Sequence, residues 1–520
     1  MDSPRDDIRK DVIVDKIDVQ HNEDVLREAD RQMSPMQCLR QNPKIVLWTL
    51  YANVGSTLVG FENLALSVCL AMPAFQMTFA TDVGGQLIIP AYWQSAWSAM
   101  YNVMMVFGSF TAGYVQDWLG RRAVLLMASI IAAAGIAITY VSETPPQFLG
   151  GKIVTGFSVG LFTTATQTYV SEIAPLPIRG IALSVNTIML NLGFLIAIAA
   201  SFSRVAIMDK SAFRVVFAAA WTFPGIILLG LPFIPESPTW LVFKNQHEKA
   251  RRSLERLSGP NENIDARLGQ IIDNIETERR IQAEDASFLE CFKGTNWRRT
   301  RIILICFYMP QVVGAVLSSN APYFLNQTGL ASNTVLMLVQ VGIAVGVVSA
   351  VLNAFMMMRF RHRPLMFFGV GACVALYFAM GVAAVFPKTQ TSLMVIGVAL
   401  VFTSVSYGPA VGASMAVAGE VSSSKLRAKS LGIGVAFSSI VSTVWTIILP
   451  YLFNTDQLNM GGHIGWIFFT MGIIMLVVLF FDVPGTKGRT FEELDIMFEL
   501  GISARRFEKH KLNDGPADRE

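Results

Sequence analysis

The sequence predicts an all-α membrane protein: twelve transmembrane helices in two six-helix bundles, with both termini cytoplasmic. Three observations lead there. Of 520 residues, 52% are hydrophobic and only 15% charged, at a mean hydropathy of +0.47, whereas soluble domains carry about 25% charged residues. Twelve stretches are long and apolar enough to cross a hydrocarbon core of about 30 Å. Basic residues gather in alternate short loops, as they do on the cytoplasmic side of membranes. This composition leaves a soluble enzyme, a nucleic-acid binder or a disordered scaffold without the polar surface it needs. The net charge of +3 points to no polyanionic partner. Five scattered cysteines (Cys38, Cys69, Cys291, Cys306 and Cys373) give neither a disulfide framework nor metal-ligand spacing.

Taken in order, residues 1–44 are a charged cytoplasmic tail (Arg5, Asp6, Asp7, Arg9, Lys10, Asp11) without the apolar core of a signal peptide. The N-terminal bundle, 45–235, holds spans at 45–72, 91–115, 122–141, 148–171, 180–203 and 213–234. A polar cytoplasmic linker, 236–300, separates it from the C-terminal bundle, 301–483. That bundle holds spans at 301–325, 332–358, 364–386, 392–419, 428–453 and 463–482, and residues 484–520 form a cytoplasmic tail. The loops after spans 2, 4, 8 and 10 carry Arg121, Arg122, Arg179, Arg359, Arg361, Arg363, Lys425, Arg427 and Lys429. The opposite loops offer little beyond Arg204, Lys210 and Lys388, and this asymmetry sets the orientation.

The loops also disclose a duplication. Glu172 precedes Arg179 by seven positions, and Glu420 precedes Arg427 by the same seven, at an offset of 248. Pro235-Glu-Ser-Pro238 recurs at an offset of 249 as Pro484-Gly-Thr-Lys487. Charged loop ends alone would enforce topology, but two coincident pairs favour parallel six-helix halves that rock about a site at the bilayer midplane. A Glu–Arg pair near the cytoplasmic ends, worth about 1 kcal/mol or less when exposed, would make a reversible latch.

Ionisable groups deep in a span are functional candidates. Glu62 lies well inside span 1 and Lys152 inside span 4. Burial raises a carboxylate's pKa and a nearby cation lowers it, so a balanced group can take up and release a proton. Alternatively Glu62 is a structural hydrogen-bonding group, and Lys152 snorkels to the outer interface, the reading favoured for that lysine. No histidine falls at mid-membrane, so neither a histidine relay nor a metal site is expected. Gln94, Asn102, Asn186, Thr187, Asn191, Gln311, Asn320 and Asn353 lie in spans, and amides suit hydroxyl-rich ligands because each both donates and accepts. Trp93, Trp97, Tyr323 and Tyr407 can stack on a sugar ring, although most membrane aromatics only pack.

Gly113-Tyr-Val-Gln-Asp117-Trp-Leu-Gly120-Arg121-Arg122 resembles the loop between spans 2 and 3 of the major facilitator superfamily. Tyr169-Val-Ser-Glu172-Ile-Ala-Pro175 with Arg179-Gly180, Pro235-Glu236-Ser237-Pro238, and Pro484-Gly-Thr-Lys487-Gly-Arg489 through Asp495 resemble the sugar porter family within it. A closer likeness, to fungal α-glucoside (maltose-type) permeases, rests on Trp93-Gln94, Gln311-Val-Val-Gly314, Tyr323-Phe324, Leu426-Arg427-Ala-Lys429 and Pro450-Tyr451-Leu-Phe-Asn454.

The resemblance implies a major facilitator fold and alternating-access transport. Asp117, Arg121, Arg122, Glu172, Arg179, Glu236, Glu420 and Arg427 would form the cytoplasmic gate. Glu62, with Lys152, would couple transport to protons. Gln311 falls where these families place a sugar-contacting Gln, and with Gln94, Asn186, Thr187, Asn191, Asn320 and Tyr407, read above from their chemistry, it makes up the candidates for binding substrate. Glu248 through Arg256 would form an intracellular helix. Departures fall on the sugar site: Glu stands for Asp at 62, Thr187 and Pro310 replace glutamines, and Ala410 replaces the aromatic after Gly408-Pro409. Gly485 replaces a Glu in the last gating motif.

The expected function is proton-coupled import of an α-glucoside such as maltose, by a monomer in the plasma membrane, with no cofactor, metal or nucleic acid. The rivals are a carrier re-tasked to a non-sugar molecule, including a fungal metabolite exporter, and a nutrient sensor. The short segment after span 12 weighs against the sensor. No acid/base cluster of a membrane enzyme and no phosphate-binding loop for ATP is found.

Overall fold

The computed structural model describes residues 35–83, 86–259, 263–282, 288–423, 426–487, 489 and 491–507. Most of the N-terminal tail (1–34), Lys425 and the end of the C-terminal tail (508–520) lie outside them.

Among the described residues, ten helices are long and apolar enough to cross a membrane. In chain order they include α3 (Arg121–Val141), α4 (Pro145–Ile173), α5 (Leu176–Phe202) and α6 (Ser211–Gly230), preceded by α1 (Pro43–Leu70) and α2 (Ala91–Leu119). The second half holds α7 (Gly294–Ser319), α8 (Ser332–Arg359), α9 (His362–Val385), α10 (Gln390–Val421), α11 (Arg427–Phe453) and α12 (Ile464–Asp482). Two of the twelve do not meet the simple apolar test alone. Helix α1 continues into Pro73–Phe79 through a bend of 79°. Helix α2 is 29 residues long but interrupted by Gln94, Ser95, Ser98 and Asn102. Hydrocarbon offers no partner for backbone N–H and C=O groups, so a spanning segment must satisfy them within helices.

Between the bent end of α1 and α2 stands a hairpin, β1 (Thr81–Val83) paired antiparallel with β2 (Gln86–Ile88). It is the one strand pair among the described residues, in a segment predicted as a plain loop. Helix α10 is irregular too. Gly408–Gly412 forms a π-turn around Pro409, which lacks the N–H that a regular turn would use. Between the halves, short helices at Pro238–Phe243, His247–Leu257 and Ile264–Gln282 pack around Leu241, Val242 and Ala250.

Two helix pairs in the first half approach at backbone distance. A Cβ on Gly60 of α1 would collide with the Leu190 carbonyl of α5, and one on Gly193 of α5 with the Thr57 carbonyl of α1. On the α2–α4 contact, a Cβ on Gly156 would stand 2.5 Å from the Tyr101 carbonyl. Small residues let membrane helices pack this closely where no hydrophobic effect drives association. Gly156→Val is therefore expected to destabilise the protein by roughly 1–3 kcal/mol through overpacking. Thermal unfolding in detergent should show it as a lowered midpoint, with Gly113→Ala, at a site with nothing within 4 Å, unchanged.

Candidate functional site

Where the two halves meet, a cavity of about 240 Å³ opens between α1, α2 and α4 on one side and α7 and α11 on the other. Its polar wall comprises Glu62, Asn63, Ser67, Ser98, Asn102 and Lys152 from the first half and Ser319, Asn320, Ser442 and Thr446 from the second. Lys152 Nζ donates to Glu62 Oε2 at 2.7 Å, and the two side chains are 2% and 3% exposed. The ammonium also lies 5.4 Å from the Phe217 ring, 5.7 Å from Phe148 and 5.8 Å from Tyr101. Aromatic faces at such distances attract a cation, so Lys152 is held from all sides and does not snorkel. The Tyr101 hydroxyl is buried without a partner.

Beside the pair lies an aromatic core of the first half. Phe75, Phe79, Trp97, Phe148 and Phe213 interlock edge to face. At the same end of α2, uncharged hydrogen bonds tie the halves together. Gln94 donates to the Ile89 carbonyl at 2.7 Å and lies 3.1 Å from both Tyr323 Oη and Asn454 Oδ1. Tyr323 donates to Asn454 at 3.0 Å, Asn454 returns to Ile89 at 3.0 Å, and Ser95 donates to the Ile447 carbonyl at 2.8 Å.

The opposite, arginine-rich end carries the charges. Arg121 grips Glu172 through two nitrogens, at 2.7 and 3.0 Å, with Asp117 at 3.7 Å. The Glu236 carboxylate accepts from the backbone N–H groups of Arg121 and Arg122 at 3.0 and 3.2 Å. An anion there meets the positive end of the α3 dipole. Gly120 permits it: its φ is 97°, and a Cβ would stand 2.6 Å from Glu236 Oε2. In the second half, Glu420 stands 3.4 Å from His362 Nε2.

Of the sequence-predicted binding residues, Asn320 lines the cavity with Glu62 and Lys152. Gln94 belongs to the tie between the halves. Asn186 donates to Ser56 at 2.8 Å, and Asn191 to the Thr187 carbonyl, Thr187 being exposed. Gln311 is buried beside the break in α7, its Oε1 without a partner, and Tyr407 is 39% exposed at the entry to the π-turn. Among the gate residues, Arg122 donates to the Leu231 carbonyl, Arg179 to Ala174 and Arg427 to the Ser422 hydroxyl. Asn63, Ser98, Ser319, Ser442 and Thr446 were missed. Their signal is polar residues four apart on apolar spans, as in Ser98/Asn102, Asn63/Ser67 and Ser442/Thr446.

The family described as sugar (and other) transporter matches residues 48–498. The chain belongs to that family, within the major facilitator superfamily. Its members are transporters, not enzymes, and this chain is an integral, multi-pass member. The "General alpha-glucoside permease" of Saccharomyces cerevisiae is 27% identical over 506 residues, covering 95% of this chain and 82% of the permease. The "MFS transporter fmqE" of Aspergillus fumigatus is also 27% identical, over 93% of this chain and 92% of its own length. Among solved structures, the inward open conformation of the xylose transporter XylE from E. coli superposes with a TM-score of 0.71. It does so at 20% identity, covering 87% of this chain and 99% of XylE.

In this transporter, removing one partner of a buried ion pair leaves the other uncompensated, at a cost of about 3–5 kcal/mol. Lys152→Met is expected to lower stability on that scale, and Glu62→Gln combined with Lys152→Met to recover most of the loss. Thermal denaturation of the detergent-solubilised variants checks both.

Proposed function

We propose that this transporter imports an α-glucoside such as maltose together with a proton, across the plasma membrane, with its arginine-rich end in the cytosol. The observation that carries the reading is the cavity itself. Both halves build it, hydroxyls and amides line it, and a buried carboxylate–ammonium pair stands in its wall. The named permease relatives support the cargo, and basic loops support the orientation. On this reading, with the ties at the other end, the cavity is served from the cytosolic side.

The wall suggests the cycle. Asn63, Asn102 and Asn320 offer donors and acceptors to sugar hydroxyls, and the unpartnered Tyr101 hydroxyl offers one more. A proton taken by Glu62 neutralises it and loosens its hold on Lys152. Because α1 and α4 are joined through this pair, that change alters their packing and with it the balance between outward and inward states. Release of the proton to the cytosol restores the pair. The present volume is below the roughly 300–1,000 Å³ of ligand pockets, so a disaccharide requires the halves to spread.

A second reading, a carrier of a non-sugar small molecule, is favoured by two observations. Leu66, Met105, Ala315 and Val316 share the wall, and no glutamine is among its residues. The fmqE relative also aligns over nearly its full length.

Labelled maltose uptake by yeast lacking its own α-glucoside carriers decides between them. Saturable uptake, severalfold stronger at acid pH, is expected, with Glu62→Gln losing accumulation by tenfold or more but keeping exchange. Uptake indifferent to pH and to Glu62→Gln would remove the proton. Absence of maltose uptake with the protein at the cell surface would overturn the sugar in favour of the second reading.

A further inference from the structure

The two halves hold their inner charges at equivalent positions but with different chemistry. Arg121 is the first residue of α3 and Glu172 the penultimate residue of α4. His362 is likewise the first residue of α9 and Glu420 the penultimate residue of α10. So the arginine–glutamate pair of the first half is matched by a histidine–glutamate pair in the second. The supports differ too. Glu236 caps the start of α3, whereas the equivalent motif after α12 has Gly485 and brings no carboxylate. In the first pair both carboxylate oxygens are bound by one guanidinium. In the second, Glu420 Oε2 and His362 Nδ1 are both buried without a partner.

We infer that His362 is a positioning residue that makes the grip on Glu420 depend on the proton concentration at the arginine-rich end. Arginine is always charged, but imidazole gains its charge only below about pH 6.5. Protonated, His362 forms an ion pair with Glu420 and holds that carboxylate inside the second half. Neutral, it offers no charge, and the second half's hold on Glu420 weakens. Acid on this side therefore favours the conformation seen here, with the ties between halves at the far end.

The groups facing the pair fit this role. Thr486 and Lys487 approach Glu420 from the segment after α12, and Lys487 is itself held by the carbonyls of Met357 and Phe360 at 2.6 and 2.8 Å. Arg361 and Arg363 flank His362, with Arg363 donating to the Phe480 carbonyl at 2.8 Å. Arg427 stands on the next helix, bound to Ser422. Glu420 is the anion set directly against the imidazole, and the cations around it are themselves engaged with other groups of the second half. The inference uses alternating access but not the identity of the cargo.

The test reads accessibility, so it works without a known substrate. Ser442→Cys places a thiol in the cavity wall, and the five native cysteines are buried. A maleimide is applied in inside-out vesicles, with labelling compared between the parent and His362→Arg at each pH. Their ratio cancels the pH dependence of thiol reactivity. From pH 7.5 to 5.5 the parent is expected to rise severalfold relative to His362→Arg and approach it. His362→Gln and Glu420→Gln should stay flat against the same reference. A parent ratio that does not change with pH, or a His362→Gln ratio that rises like the parent's, would overturn the inference. If maltose uptake fails while this ratio behaves as expected, the cargo reading falls and the inference stands.

Discussion

The salt bridge between Glu62 and Lys152 is the constraint around which the first half is built. Taking two charges out of water costs several kcal/mol per ion, recovered only where geometry and further partners are good. Here the ammonium meets a carboxylate at 2.7 Å and three aromatic rings. That arrangement requires α1, α2, α4 and α6 to converge at one depth, and the glycine contact at Gly156 is what lets α2 and α4 do so. The interlocked rings of the first half's core pack against the same helices. A pair that is so enclosed, yet borders a cavity, is stable only while the surrounding helices keep their places, which is why a change in its charge reaches the packing.

The two ends of the molecule use different kinds of bond for different work. At the end opposite the arginines the halves are joined by amides, a phenol and hydroxyls, which carry no net charge and need little desolvation to part. Each such bond contributes about 0.5–1.5 kcal/mol. At the arginine-rich end the interactions described are charged and hold neighbouring spans within each half. The duplication preserved positions but not residues, as Arg121 against His362 and Glu236 against Gly485 show. A symmetric frame thus carries asymmetric chemistry.

Much of this was legible in the sequence because lipid imposes a simple rule on spans. Apolar runs marked twelve spans, ten of which are helices long and apolar enough on their own among the described residues, and Glu62 and Lys152 stood out as charges where none belongs. The partnership of Lys152 was not legible, since a lysine one or two turns from an interface has another way out. Gln94 illustrates a different limit: an amide suited to bind a sugar is equally suited to tie two helices, and only its neighbours decide. Asn63, Ser98 and Ser442 were hidden because small polar residues occur on many faces of a span. The π-turn at Gly408–Gly412 and the hairpin at Thr81–Ile88 arise from local backbone needs that hydropathy does not record.

Helix α2 has a consequence for how the protein is made. Its polar residues face Tyr323, Asn454, Thr446 and the cavity, and apart from the bond of Gln94 to the Ile89 carbonyl their described partners belong to parts of the chain synthesised much later. A segment of this kind partitions into lipid poorly on its own. It is best retained beside already inserted neighbours, and its tight contact with α4 supplies such a neighbour soon after synthesis. Biogenesis of the first half is then a collective event, with α2 sheltered by its companions until the second half arrives to complete its hydrogen bonds.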